Sequence, residues 1–144
     1  MRRAMGGTVK AHLAAMHLSG AVLLLTFLVP PAWALDAYGA APARDPSADV
    51  PPFMIFLTLA FCCVSYHVAV QIPSGLLGTW LGRNRGAGVM YACVLVVAGV
   101  LTAALSWGAL ETDRLAEILP VWADLMARGS LGMASYVWLS RRLT

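Results

Sequence analysis

The chain is expected to be all-α: an integral membrane bundle of four transmembrane helices, both termini on the cytoplasmic side (matrix or stromal in an organelle). Three observations lead there. First, four apolar stretches run over about residues 11–29, 52–72, 86–110 and 118–139. A spanning helix needs about 20 mostly apolar residues to cross a hydrocarbon layer of roughly 30 Å. Second, 60% of the residues are hydrophobic and 12% charged, which leaves little for a soluble domain. Third, the loop charges are partitioned. Arg2, Arg3, Lys10, Arg83, Arg85, Arg141 and Arg142 occupy the two tails and the second connection, with no acid among them. The first and third connections hold Asp36, Asp45, Asp49, Glu111, Asp113 and Glu117 against only Arg44 and Arg114. Basic loops stay on the cytoplasmic side during insertion, so this pattern also sets orientation.

Lipid offers no hydrogen bonds to the backbone, so spanning segments must be helices or a closed barrel. Continuous apolar runs such as Leu23–Leu25 and Val94–Val97 lack the alternation of barrel strands. At 144 residues, one membrane domain is expected. The net charge of +3 comes from the basic flanks and suits anionic lipid headgroups; no nucleic-acid partner is implied.

The elements follow in order. Residues 1–10 form a basic tail. Pro30 and Pro31 end or kink the first helix, because proline lacks an amide donor. Ala32-Trp33-Ala34 has the small-x-small form of a signal-peptidase site, but the apolar run before it is long for a signal peptide. Retention of the first helix is the expectation, and cleavage the alternative. Residues 30–51 read as an outer loop, with Pro52 starting the second helix. Residues 73–85 read as the inner loop and 111–117 as a second outer loop. Trp33, Trp80, Trp107 and Trp138 sit near span ends, as interfacial tryptophans do. Cys62, Cys63 and Cys93 fall within spans, so no disulfide framework is expected.

Three constellations stand out. On the third helix, Gly88, Ala92, Gly99, Ala103 and Ser106 fall within about 60° of arc. Such a small-residue seam lets another backbone come close, and a narrow lipid or pigment groove is the alternative use. On the fourth, Asp113, Glu117, Asp124, Arg128 and Ser135 also share about 60° of arc. Asp124 and Arg128 are spaced to pair at i,i+4. Arg128 would lie near mid-bilayer, where a charge costs about 2.5–3.5 kcal/mol. Such a stripe should face protein or water, as an interface or an ion pathway.

The third constellation is weaker. His17 and His67 are expected at similar depths on neighbouring helices, with Cys63 and Cys93 nearby. Two histidines could ligate a b-type haem, and thiolate with imidazole could hold another metal. The competing account is ordinary: membrane histidine as a hydrogen-bonding partner and cysteine as a small hydrophobe. His12 points away from His17 and is expected near the headgroups.

The chain has no glycine-rich phosphate loop, no HExxH and no CxxC, and its loops are short for a soluble catalytic site. No catalytic activity of its own is expected. The leading expectation is a small accessory or scaffolding subunit of a larger membrane complex, respiratory or photosynthetic in kind. Its partners would be the lipid bilayer and other membrane subunits, in a bacterial inner membrane or an organelle membrane. One alternative is a homo-oligomeric channel or transporter built on the helix-four stripe. Another is a haem- or quinone-associated anchor.

Overall fold

A missing amide donor decides where the first helix of this chain stops and where the second rod widens. The computed structural model describes residues 2–35, 52–110 and 112–143. Asp36, Arg44, Asp45, Asp49 and Glu111, with the side chains of Arg2 and Arg3, lie outside the described residues. Helix α1 spans Arg2–Phe27, so the basic tail is already helical. It stops because residue 30 should donate to the Thr26 carbonyl and Pro30 has no N–H. One helical turn over residues 32–35 follows, its amides at 34 and 35 donating to the Pro31 carbonyl at 3.1 Å.

Helix α2 spans Pro52–Tyr66, a π-helical turn covers His67–Gln71, and α3 spans Ile72–Gly82. Together they form one rod. The expected inner loop at 73–85 is therefore corrected: the helix runs through Pro73, and the turn is only residues 83–86. The π turn supplies the reason. A proline clashes with the carbonyl four residues back, here that of Ala69, and leaves it without a donor. Widening the preceding turn, with the Ile72 amide donating five residues back to His67, lets the chain pass the ring without ending the helix. Helix α4 spans Ala87–Leu110 and α5 spans Leu115–Leu143. Helix α5 thus starts inside the expected outer loop and extends through the C-terminal arginines.

The rods alternate in direction. Early α1 meets late α5 through His12 and Tyr136, and late α1 meets mid-α5 through Thr26 and Arg128. Gly78 faces Val94 and Gly82 faces Met90, so α3 and α4 are antiparallel. Trp122 donates to the Gly99 carbonyl at 3.0 Å, and Tyr91 to that of Ser130 at 3.0 Å, which fixes α4 against α5. The shared core holds Leu23, Tyr66, Val70, Val94 and Met133, all essentially inaccessible.

Among the described residues 90% are helical and none is in a strand. Two helices are long and apolar enough to cross a membrane, Phe53–Gly82 and Ala87–Leu110. Only 22% of the apolar window of each is buried. The core helix of a soluble protein would be mostly covered. Here Phe53, Phe56, Phe61, Val96 and Val100 face outward instead. The apolar part of α1 is shorter, His12–Phe27, and α5 carries Glu117, Asp124 and Arg128 within its length.

Candidate functional site

The polar centre of the bundle is built where α5 passes the end of α1. Arg128 Nε donates to Asp124 Oδ2 at 2.8 Å, one helical turn apart. Their side chains are 13% and 28% exposed. Arg128 Nη1 also donates to the carbonyls of Thr26 and of Val29, the latter at 2.9 Å. Its guanidinium lies 5.1 Å from the centre of the Phe27 ring. Asp124 Oδ2 accepts a second bond from Trp33 Nε1 at 3.1 Å.

Each partner has a sequence cause. Pro30 leaves the Thr26 carbonyl without its helical donor, and the guanidinium replaces it. A cation at the C-terminal end of α1 also opposes the partial negative charge of that end. The arginine side chain leans toward the N-terminus of its own helix, as helical side chains do, which carries its head toward the end of α1. Arg128 stands near the middle of α5, and the neighbouring Gly129 packs on Tyr66, halfway along the Pro52–Gly82 rod. Trp33, expected as an interfacial anchor, is half-buried and bonded inward.

The remaining members of the stripe go elsewhere. Glu117 pairs with Arg114 at 3.3 Å on the exposed surface, and Asp113 is exposed. Ser135 Oγ donates to the Gly132 carbonyl of its own helix at 2.6 Å. The five residues therefore do not act as one polar face. The central pair is satisfied inside the chain.

On α4 the contact line differs from the expected seam. The buried residues are Met90, Val94, Ala98, Thr102 and Ser106. They are spaced by four, so the line advances about 40° around the helix at each step. That is the signature of a crossing helix pair, whereas a straight wheel assumes parallel axes. The expected seam meets this line only toward the end of the helix. Ser106 is buried and Gly99 lies near Trp122 and Met126, while Gly88, Ala92 and Ala103 remain exposed. The close backbone approach is made from the other side, by Gly78 and Gly82 of α3. A methyl group on Gly78 would fall 2.5 Å from Val94 Cα, and one on Gly82 would fall 2.6 Å from Met90 Cα.

The histidines and cysteines are not gathered. His17 Nδ1 bonds to the Leu13 carbonyl at 2.7 Å and the residue is exposed. His67 Nδ1 bonds to Gln71 Oε1 at 2.6 Å, across the π turn, and its ring lies against Gly20. Cys63 is buried, and Cys62 and Cys93 are half-buried; all three are free thiols. Among the described residues no group of three His, Cys, Asp or Glu side chains could hold a metal ion. His12, expected in water near the headgroups, is half-buried and bonds Tyr136 Oη at 3.0 Å.

At the end of the bundle where α1 begins and α5 finishes, an open groove of about 420 Å³ lies among α1, α3, α5 and the start of α4. His12, Leu76, Thr79, Trp80, Arg83 and Arg141 line it. Two other crevices lie on the sides. One of about 520 Å³ includes Gly88, Tyr91, Ala134 and Trp138, and one of about 360 Å³ includes Phe61, Tyr66, Ser106 and Leu125. Comparison with known proteins yields no match to this chain, whether family model, curated protein or solved structure.

Proposed function

We propose that this chain is a four-span membrane protein acting as a small, non-catalytic accessory subunit, one that seats a transmembrane helix of a neighbouring subunit. Both termini lie on the cytoplasmic side, or its matrix or stromal equivalent, in a bacterial inner membrane or an organelle membrane. The observation that carries the proposal is the outward small-residue face of α4. A side chain added at Gly88 would meet nothing within 4 Å, Ala92 is exposed one turn on, and Ala103 is exposed further along the helix. Within lipid, helix association relies on close packing, and small residues permit it. The crevice containing Gly88, Tyr91 and Ala134 continues this surface onto α5.

The large outward apolar area supports a lipid setting, because soluble monomers rarely expose such patches. The charge partition supports the orientation: Lys10, Arg83, Arg85, Arg141 and Arg142 share one end of the bundle, and Asp113 and Glu117 the other. The channel alternative is weakened because Arg128, its gating charge, is held by Asp124 and the end of α1.

Two measurements test this. In a cysteine-free background, Asp113→Cys should react with an impermeant maleimide in intact cells, and Arg85→Cys only after permeabilisation. Labelling of both from one side would reject the topology. For the docking face, Gly88→Leu combined with Ala92→Leu should strip co-purifying membrane subunits after mild detergent extraction, with the stability of the chain unchanged. An unaltered set of neighbours would remove the basis for the proposal.

A further inference from the structure

The groove at the basic end takes its ionisable side chains from three separate elements. His12 comes from α1, Arg83 from the turn after α3, and Arg141 from the last turn of α5. No local basic run makes it; the fold brings the charges together. Among the described residues the ion pairs are Arg114–Glu117 and Arg128–Asp124, so neither Arg83 nor Arg141 meets a carboxylate. The described acids Asp113 and Glu117 stand at the other end, and Asp124 is taken by Arg128.

The walls and floor have a different character. Leu76 and Met90 line the same groove, and Trp80 stands at its side with Arg83 over its ring at 5.6 Å. Thr79 Oγ1 already donates to the Gly75 carbonyl at 2.6 Å, and Ser140 Oγ to that of Val137 at 3.0 Å. Among the described lining residues the charged donors are the two guanidiniums, which stand with the Trp80 indole and the ring of His12, whose Nδ1 is occupied by Tyr136. Guanidinium donors in a planar fork match the oxygens of phosphate. An apolar floor beneath them suits a ligand that carries hydrocarbon next to its anionic group.

We propose that this groove binds the phosphate head of an anionic phospholipid, with Arg83 and Arg141 as the phosphate clamp and Leu76, Trp80 and Met90 against the adjoining glycerol and acyl carbons. A defined site differs from the general attraction of a basic surface for anionic lipid, because it depends on which arginines are present and not only on how many.

The test uses the full-length protein, purified in neutral detergent and exchanged into phosphatidylcholine bilayers doped with phosphatidylglycerol. The phosphatidylglycerol retained per protein is then counted by mass spectrometry after re-extraction. Arg83→Gln with Arg141→Gln should lower its affinity about a hundredfold, because each change removes a charge-assisted hydrogen bond to the phosphate. Arg85→Gln with Arg142→Gln removes the same net charge outside the groove and should leave retention near the starting level. All four side chains are exposed, and thermal melting of each variant in detergent checks the fold. Equal losses from the two pairs would overturn the proposal in favour of diffuse attraction. So would equal retention of phosphatidylcholine. Titration with inorganic phosphate separates the sources. Weak competition is expected for a lipid site, whereas tight binding of phosphate alone would show that the clamp reads the free ion and overturn the lipid assignment.

Discussion

Arg128→Leu is expected to destabilise the isolated chain by about 3 kcal/mol or more, the cost of leaving a buried charge without its partner. The loss has two parts. Asp124 keeps only the Trp33 indole, and the carbonyls of Thr26 and Val29 lose their donor. Arg128→Lys should fall between, because an ammonium keeps the charge without the planar fork that reaches several acceptors. Replacing Asp124 and Arg128 together with leucine removes the unpaired charge. The double variant should therefore be more stable than Arg128→Leu alone by about 1 kcal/mol or more. Equilibrium unfolding in detergent micelles measures these three together with Asp124→Leu, which completes the cycle. If the double variant lost the full sum of the single losses, the two side chains would be acting independently and the pairing argument would fail.

The second large effect is expected at a glycine. Gly78→Ala places a methyl group 2.5 Å from Val94 Cα and 2.6 Å from its amide nitrogen. These are backbone atoms, so no rotamer change relieves the contact, and α3 must move away from α4. Overpacking of this kind costs about 1–3 kcal/mol, and Gly78→Leu should cost more. Gly88→Ala is the matched control. Nothing lies within 4 Å of the new methyl group, so the helical preference of alanine should act alone; in the first turn of α4 it should stabilise by less than the ~0.5–1 kcal/mol of a helix interior. The same chemical change is thus expected to have opposite signs at two helical glycines ten positions apart. Equal effects at both sites in a detergent melting series would contradict the packing of α3 on α4.

Much of the architecture was legible in the residues. Apolar length located the two long apolar rods, Phe53–Gly82 and Ala87–Leu110, because burial or lipid contact over about 20 residues leaves a plain compositional trace. Helix ends were harder. Pro73 carries the same missing donor as Pro30, yet one is absorbed by a π turn and the other stops the chain. Local chemistry alone does not separate those outcomes. The spacing of Asp124 and Arg128 correctly announced a pair, but its other partners are backbone carbonyls, and a carbonyl has no letter in a sequence. The one available signal was Pro30-Pro31, which orphans acceptors at the end of α1. The expected face of α4 missed the observed contact line for a geometric reason: a wheel projects residues along a straight axis, and these helices cross.

The bond between Arg128 and the end of α1 has a consequence for how the protein is made. Ribosomal synthesis delivers the acceptors first and the donor roughly a hundred residues later. Until α5 enters, the growing chain carries exposed carbonyls at the end of its oldest helix. If α5 spans the membrane as proposed, a charged residue that would resist entry into lipid on its own meets a ready-made polar seat when it arrives. One guanidinium, made late, thus completes the end of the helix that was made first.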